Sequence, residues 1–231
     1  MSPKQRAAHA ALPLVRSGMV IGLGTGTTAD CFLEALGEAI RSGRLSGIRG
    51  VPTSIQSHRR AVELGIPVAT LDDCPRPDLT VDGCDELTGD LDLIKGLGGA
   101  LLREKIVAQA SGRLVIIADE SKRVTRLGLR SPLPVEVVAF AHRTHADFLR
   151  GLGAEPILRL GPDGGPFITD NGNHIYDCRF SDGIGDPAAL ERRLKGRAGV
   201  VETGLFLGMA SEAFIADEKA VWSIGRGSGK A

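Results

Sequence analysis

The sequence predicts an α/β protein: a doubly wound, mainly parallel sheet with helices on both faces, plus a smaller α+β domain. Three observations predict it. In the first half, short apolar runs alternate with stretches of helical periodicity, the order that builds a parallel sheet covered on both sides. Glycine-rich or acidic turns follow several of those runs. The texture then changes at Ser131-Pro132-Leu133-Pro134, a break followed by a strand, a helix and a hairpin signal.

The elements follow in order. Ser2 caps a helix with Pro3 at its first position, running towards Arg16 with a kink at Pro13. Met19 to Leu23 reads as a buried strand and Thr27 to Arg41 as a helix with apolar Cys31, Leu33, Leu36 and Ile40. Gly47 to Pro52 is a strand, and Thr53-Ser54-Ile55-Gln56 fits a capping box for a helix to Leu64. Ile66–Leu71, Leu79–Val81 and Leu114–Ala118 are further strands, with a helix over Leu101–Ala110. Past the break come a strand (Val135–Ala139), a helix (His145–Leu152) and a strand (Pro156–Leu160). Asp170-Asn171-Gly172 lies between Phe167-Ile168 and His174-Ile175-Tyr176, which suits a hairpin. Asp186-Pro187 opens a helix and Gly199–Glu202 is a strand. Phe214–Ala216 and Val221–Ile224 are short strands that return to the first sheet, and Gly225 to Lys230 reads as a mobile tail. The domains are therefore 1–130 with 205–231, and 131–204.

Composition narrows the function. At 231 residues, 42% hydrophobic and 24% charged, the chain is an ordinary globular protein that needs no disulfide or structural metal. Lys plus Arg number 28 and Asp plus Glu 28, so bulk positive charge cannot drive nucleic-acid binding. Aromatics at 4% leave little for base stacking. No apolar run approaches the ~20 residues that span a bilayer, and Met1 to Arg16 lacks the features of a signal peptide. Cys31, Cys74, Cys84 and Cys178 are scattered and read as free thiols in a reducing cytoplasm. His9, His58, His142, His145 and His174 read as surface or capping residues rather than metal ligands.

Four segments carry chemistry. Gly22-Leu23-Gly24-Thr25-Gly26-Thr27-Thr28 joins a strand to a helix, where backbone N–H groups and hydroxyls favour a phosphate or another anion. It is neither a Walker A loop nor a full dinucleotide fingerprint, and a plain turn has the same spacing. Asp82-Gly83-Cys84-Asp85-Glu86 follows a strand; its carboxylates suit acid–base work, metal binding or a solvated turn. Lys95-Gly96-Leu97-Gly98-Gly99-Ala100 leads into a helix carrying Glu104 in its first turn, a loop whose amides suit an oxyanion and a carboxylate placed as a base. An ordinary surface lysine and a dipole-favoured glutamate are the alternatives there. Asp119-Glu120-Ser121-Lys122 follows another strand; Lys122 there suits a phosphate at the sheet's edge, and a solvated turn is the alternative that the segment alone favours. Together the turns suit a small anionic, oxygen-rich substrate.

These segments, with Leu133-Pro134-Val135-Glu136-Val137, Thr169-Asp170-Asn171-Gly172-Asn173 and Glu202-Thr203-Gly204-Leu205-Phe206, resemble the type A ribose-5-phosphate isomerases, in the family's order and over nearly the whole chain. The resemblance implies a Rossmann-like catalytic domain and the interconversion of ribose 5-phosphate and ribulose 5-phosphate, a step of the pentose phosphate pathway, without metal or cofactor. It implies Glu104 as the base that moves a proton between C2 and C1, with Asp82, Asp85 and Lys95 around the reacting oxygens. Gly96, Leu97, Gly98 and Gly99 would stabilise the enediolate through their amides. Thr25, Gly26, Thr27, Thr28, Lys122 and Lys4 would hold the phosphate, with Gly83 and Cys84 lining the substrate. A homodimer or homotetramer is implied as well.

The chain departs from the family's usual pattern at Leu97, where glycine is common, at Leu102 (Thr) and at Cys84 (Ala). Leucine is costly at position 97 if φ is positive there. Two other readings remain: an isomerase for a different phosphosugar, and a non-catalytic sugar-phosphate sensor. Sensors of this kind carry a DNA-binding helical module first, for which there is no room before Met19, and they need no base.

Overall fold

The computed structural model describes residues 1–226; of the expected tail, 227–230 lie outside the described residues. In chain order the helices and strands are α1 (Pro3–Ala11), β1 (Val20–Leu23), α2 (Thr27–Arg41), β2 (Arg49–Pro52), α3 (Ile55–Glu63), β3 (Leu79–Asp82), β4 (Glu86–Leu87), β5 (Leu93–Ile94) and α4 (Leu101–Ala110). They continue as β6 (Leu114–Asp119), β7 (Leu133–Val137), α5 (Thr144–Arg150), β8 (Glu155–Leu158), β9 (His174–Arg179), α6 (Pro187–Lys195), β10 (Val200–Thr203), β11 (Leu205–Phe206), β12 (Ala210–Ala216) and β13 (Val221–Gly225).

The chain divides into two compact units. The first comprises Met1–Cys84, Arg103–Lys122 and the chain from Gly208; the second comprises Asp85–Leu102 and Arg123–Leu207. The second contains 131–204 and also takes in Asp85–Leu102, 123–130 and 205–207, three segments that the sequence alone groups with the larger domain.

In the first unit a six-stranded sheet runs β13-β12-β6-β3-β1-β2. All its pairs are parallel except β12–β13. Strands β1 and β3 are buried along their whole length, as central parallel strands covered on both faces should be. Helix α2 turns Phe32, Leu33 and Leu36 into the core with Ile21, Leu23, Val81 and Ile117, while Ala7, Ala8 and Ala11 of α1 join the same cluster. Its neighbours put β1 at the point where strand order reverses: β2 pairs on one side and β3 on the other. Ligands of doubly wound sheets bind beyond the carboxyl ends of strands at such a point.

In the second unit an antiparallel sheet runs β10-β7-β9-β8. Leu133, Val135 and Val137 alternate along β7 towards a core that holds Leu149 of α5 and Leu190 and Leu194 of α6. Glu136, on the opposite face, is buried and its Oε1 accepts from Thr169 Oγ1 and Asn173 Nδ2, each at 2.9 Å. That pair of bonds explains the Thr169-Asp170-Asn171-Gly172-Asn173 motif: the residues flanking the turn are locked onto one carboxylate. A second, three-stranded sheet runs β11-β5-β4.

Several expectations need correction. The first helix stops at Ala11 and a 3₁₀ turn over Leu12–Leu14 replaces the kinked continuation, because Pro13 offers no N–H and crowds the preceding turn. Ile66–Leu71 is not a strand; only Val68 bridges Gly50. The capping box of α3 is Ser54 with Ser57, one register later than Thr53 with Gln56. Asp170–Gly172 does turn the chain, with Gly172 at φ +79°. Phe167-Ile168 is not its strand, however; β9 pairs with β7 and β8 instead. Among the described residues no helix is long and apolar enough to cross a membrane.

Candidate active site

Three neighbouring parallel strands of the first unit end at one edge: β1 before Gly24, β3 at Asp82 and β6 at Asp119. Gly24 must be glycine. A Cβ there would lie 2.3 Å from Asp82 Oδ1 and 2.6 Å from its Cα. This close approach lets Asp82, which is buried, accept from the backbone N–H groups of Thr25 at 3.1 Å and Gly83 at 2.7 Å. Gly26 caps α2 at φ +108° without any side-chain acceptor. The N–H groups of Thr27 and Thr28 therefore open the helix unbonded among the described residues, the arrangement that receives an anion. Thr25 Oγ1 is held by Thr53 and Ser54, each at 2.8 Å. Lys4 reaches across from α1 and donates to Thr27 Oγ1 at 2.8 Å. Thr28 is buried against this edge and Thr27 is exposed. Gly83 and the half-buried Cys84 follow Asp82, and Lys122 is half-buried in a 3₁₀ turn after β6. Glu104 is buried in the first turn of α4.

In the second unit, Asp85 Oδ2 accepts from the N–H of Leu97 at 3.0 Å. Lys95 is only 2% exposed, which excludes the surface-lysine reading. Its N–H is fixed to Gly204 O at 2.9 Å, and its ammonium lies 5.5 Å from the ring centroid of Phe206. Gly96 and Gly99 take φ of +102° and +83°, and the N–H of Gly99 closes a turn onto Gly96 O at 2.9 Å. Leu97 is not among the positive-φ residues and is 39% exposed, so a side chain at this position costs no backbone strain. Within Gly96–Gly99 the N–H groups of Leu97 and Gly99 are thus already used, while those of Gly96 and Gly98 meet no acceptor among the described residues.

Glu86 separates from its neighbours. It is fully buried and accepts from the N–H groups of Gly128 (2.6 Å), Arg130 (2.7 Å) and Ser131 (2.6 Å). It anchors a loop of the second unit. Among the described residues, no group of three or more side chains forms a metal-ligating cluster.

Sequence reasoning missed Thr53 and Ser54 as the anchors of Thr25. It had assigned them to a helix cap, a role that Ser54 also has. It missed Arg159 entirely. This side chain donates to the carbonyls of Gly96 (3.1 Å) and Leu97 (3.0 Å) from a strand end that carries no motif.

Residues 49–220 match the family model of ribose 5-phosphate isomerase A (phosphoriboisomerase A). The ribose-5-phosphate isomerase A of Roseiflexus castenholzii is 55% identical over 92% of this chain and 91% of its own length. That of Deinococcus radiodurans is 49% identical over 96% and 97%. A solved D-ribose-5-phosphate isomerase in complex with phospho-erythronic acid superposes with a TM-score of 0.94 at 41% identity, covering 96% of this chain and 97% of that one. The Plasmodium falciparum ribose 5-phosphate isomerase gives a TM-score of 0.92 at 39% identity over 96% and 97%. Both the sequence and the fold thus place it: the chain belongs to the ribose-5-phosphate isomerase A family.

Proposed function

We propose that the chain interconverts D-ribose 5-phosphate and D-ribulose 5-phosphate by proton transfer through an enediolate, with Glu104 as base and no metal. The interconversion is the activity of its family and a step of the pentose phosphate pathway. The ionised Glu104 takes the proton from C2 of the open-chain aldose. Electrons from the C2–H bond form the C1–C2 double bond, and the C1 oxygen gains the charge. The proton is returned to C1 while the C2 hydroxyl gives up its own, leaving the ketose. Asp82, Asp85 and Lys95 serve ring opening and the oxygen-to-oxygen proton movement. A carboxylate abstracts a proton next to a carbonyl only where the charge formed on oxygen is met by fixed donors. Lys95 and the amide of Gly98 are those donors in this reading. The phosphate takes the first-turn N–H groups of α2, with Thr25, Thr27, Thr28, Lys4 and Lys122.

The observation that carries the reading is a buried carboxylate, Glu104, placed just after a loop whose Gly98 amide meets no acceptor among the described residues. A sensor needs no such base. Phospho-erythronic acid fits the same reading: its carboxylate spreads one charge over two oxygens, as an enediolate does.

Assay of ribose 5-phosphate in D2O with excess EDTA tests it. Turnover with deuterium on carbon in the ribulose 5-phosphate is the expected result. Loss of activity in EDTA contradicts a metal-free reaction. Absence of turnover with a raised melting temperature supports the sensor. A homodimer or homotetramer in the cytoplasm completes the proposal, on the family resemblance. Sedimentation should give a multiple of 24.3 kDa, and a monomer would contradict it.

A further inference from the structure

We infer that Arg159 is a positioning residue for the isomerisation: it aims the backbone N–H of Gly98 by holding the carbonyl at the other end of the same peptide. The inference rests on the enediolate reading above. Arg159 Nη1 donates to Leu97 O at 3.0 Å and to Gly96 O at 3.1 Å. The rest of its fork is clamped by Asp177, Nε to Oδ2 at 2.9 Å and Nη2 to Oδ1 at 2.5 Å. The two side chains are only 13% and 22% exposed, and the guanidinium lies 5.7 Å from the ring centroid of Phe167. The clamp is therefore charge-assisted, bidentate and largely shielded from water.

The consequence follows from peptide geometry. In a planar trans peptide the C=O and N–H point in opposite directions. Drawing the carbonyls of Gly96 and Leu97 towards one guanidinium turns the N–H groups of Leu97 and Gly98 away from it. The Leu97 N–H lands on Asp85 Oδ2 at 3.0 Å, which shows the direction in which that side of the loop serves an anionic oxygen. The Gly98 N–H, next along the chain on an exposed residue, has no acceptor among the described residues. Successive N–H groups of this kind form an anion nest. Lysine could not replace Arg159, because a single ammonium cannot bond two carbonyls and both oxygens of Asp177 with the planar fork's geometry.

The test compares wild type with Arg159→Lys and Asp177→Asn. It reads kcat, KM, melting temperature, and inhibition by phospho-erythronic acid and by inorganic phosphate. A misaimed oxyanion donor should cost roughly tenfold to a hundredfold in kcat, with KM changed by less than about threefold. Phospho-erythronic acid should weaken in step with kcat, and inorganic phosphate should not. Unchanged kcat overturns the inference. So does an equal loss for both inhibitors, which marks a structural role only. If Arg159→Lys fails to fold, Asp177→Asn, which keeps the guanidinium, carries the same comparison. Failure of the underlying mechanism shows elsewhere, as turnover retained by Glu104→Gln.

Discussion

Asp82, Asp85 and Glu86 stand within five residues, yet each carboxylate is held by different donors. Asp82 takes the amides of Thr25 and Gly83, Asp85 takes that of Leu97, and Glu86 takes three from the 128–131 loop. Mutual repulsion, which made the cluster look in need of a reason, is answered by this division of partners. Glu86→Ala should leave three N–H groups without their acceptor and cost about 3 kcal/mol or more in stability, read by urea unfolding. A loss under about 1 kcal/mol would show that the loop does not depend on it. The position of the cluster was legible in the sequence, because three carboxylates after an apolar run are conspicuous. The partners were not, because the donors of Glu86 come from a loop far along the chain. Leu97 was legible as a departure, but only its φ shows that the loop's strained positions are Gly96 and Gly99 instead.

At the scale of elements, strong periodicity and end signals were readable. Helix α2 runs over Thr27–Arg41 as its apolar spacing predicts, and Asp186 caps α6 ahead of Pro187. The two-residue strands β4, β5 and β11 were invisible, since so short a segment has no period; they pair with one another as a separate sheet. Of the histidines, His9 and His58 are exposed as the sequence implies, but two are not. His145 in α5 and His174 in β9 are buried, and His142 meets His174 edge-on with ring centroids 4.9 Å apart. Tyr176 OH lies 3.1 Å from His142 Nδ1, and Gly199 leaves room for His145, since a Cβ there would lie 2.9 Å from Nε2.

Burial pushes the pKa of His142 below its ordinary 6.5, with His174 and Arg143 adding to the shift. Burial lowers His145 too, with Arg197 and His142 as its positive neighbours. Unfolded imidazoles bind protons at their ordinary value, so below about pH 6.5 the unfolded chain takes up protons that the folded one refuses. Stability should fall as pH drops through about 6.5 and below. The loss of melting temperature between about pH 7.5 and 5.5 should shrink in His142→Asn and His145→Gln relative to wild type. An unchanged pH dependence in both variants would remove the cluster as its cause.

On the scale of the whole molecule, the chain changes unit after Cys84, Leu102, Lys122 and Leu207. Several of the candidate residues, Asp82 to Asp85, Lys95 to Glu104 and Lys122, fall near those junctions in sequence, while Lys4 and Thr25 to Thr28 do not. Parallel strands drawn from distant segments explain why the alternating pattern disclosed the fold class. The same pattern left the division of the chain obscure, since Asp85–Leu102 carries only very short strands. The return of β12 and β13 to the first sheet was readable, with β12 parallel to β6 over Ala210–Ala216. The proposed reaction turns on one proton and one carboxylate, Glu104. The most direct test is turnover of ribose 5-phosphate by Glu104→Gln beside wild type in excess EDTA, with phospho-erythronic acid binding measured on both. The variant should lose roughly a hundredfold to ten-thousandfold or more in kcat while still binding the acid. Near-normal turnover by Glu104→Gln would contradict the account.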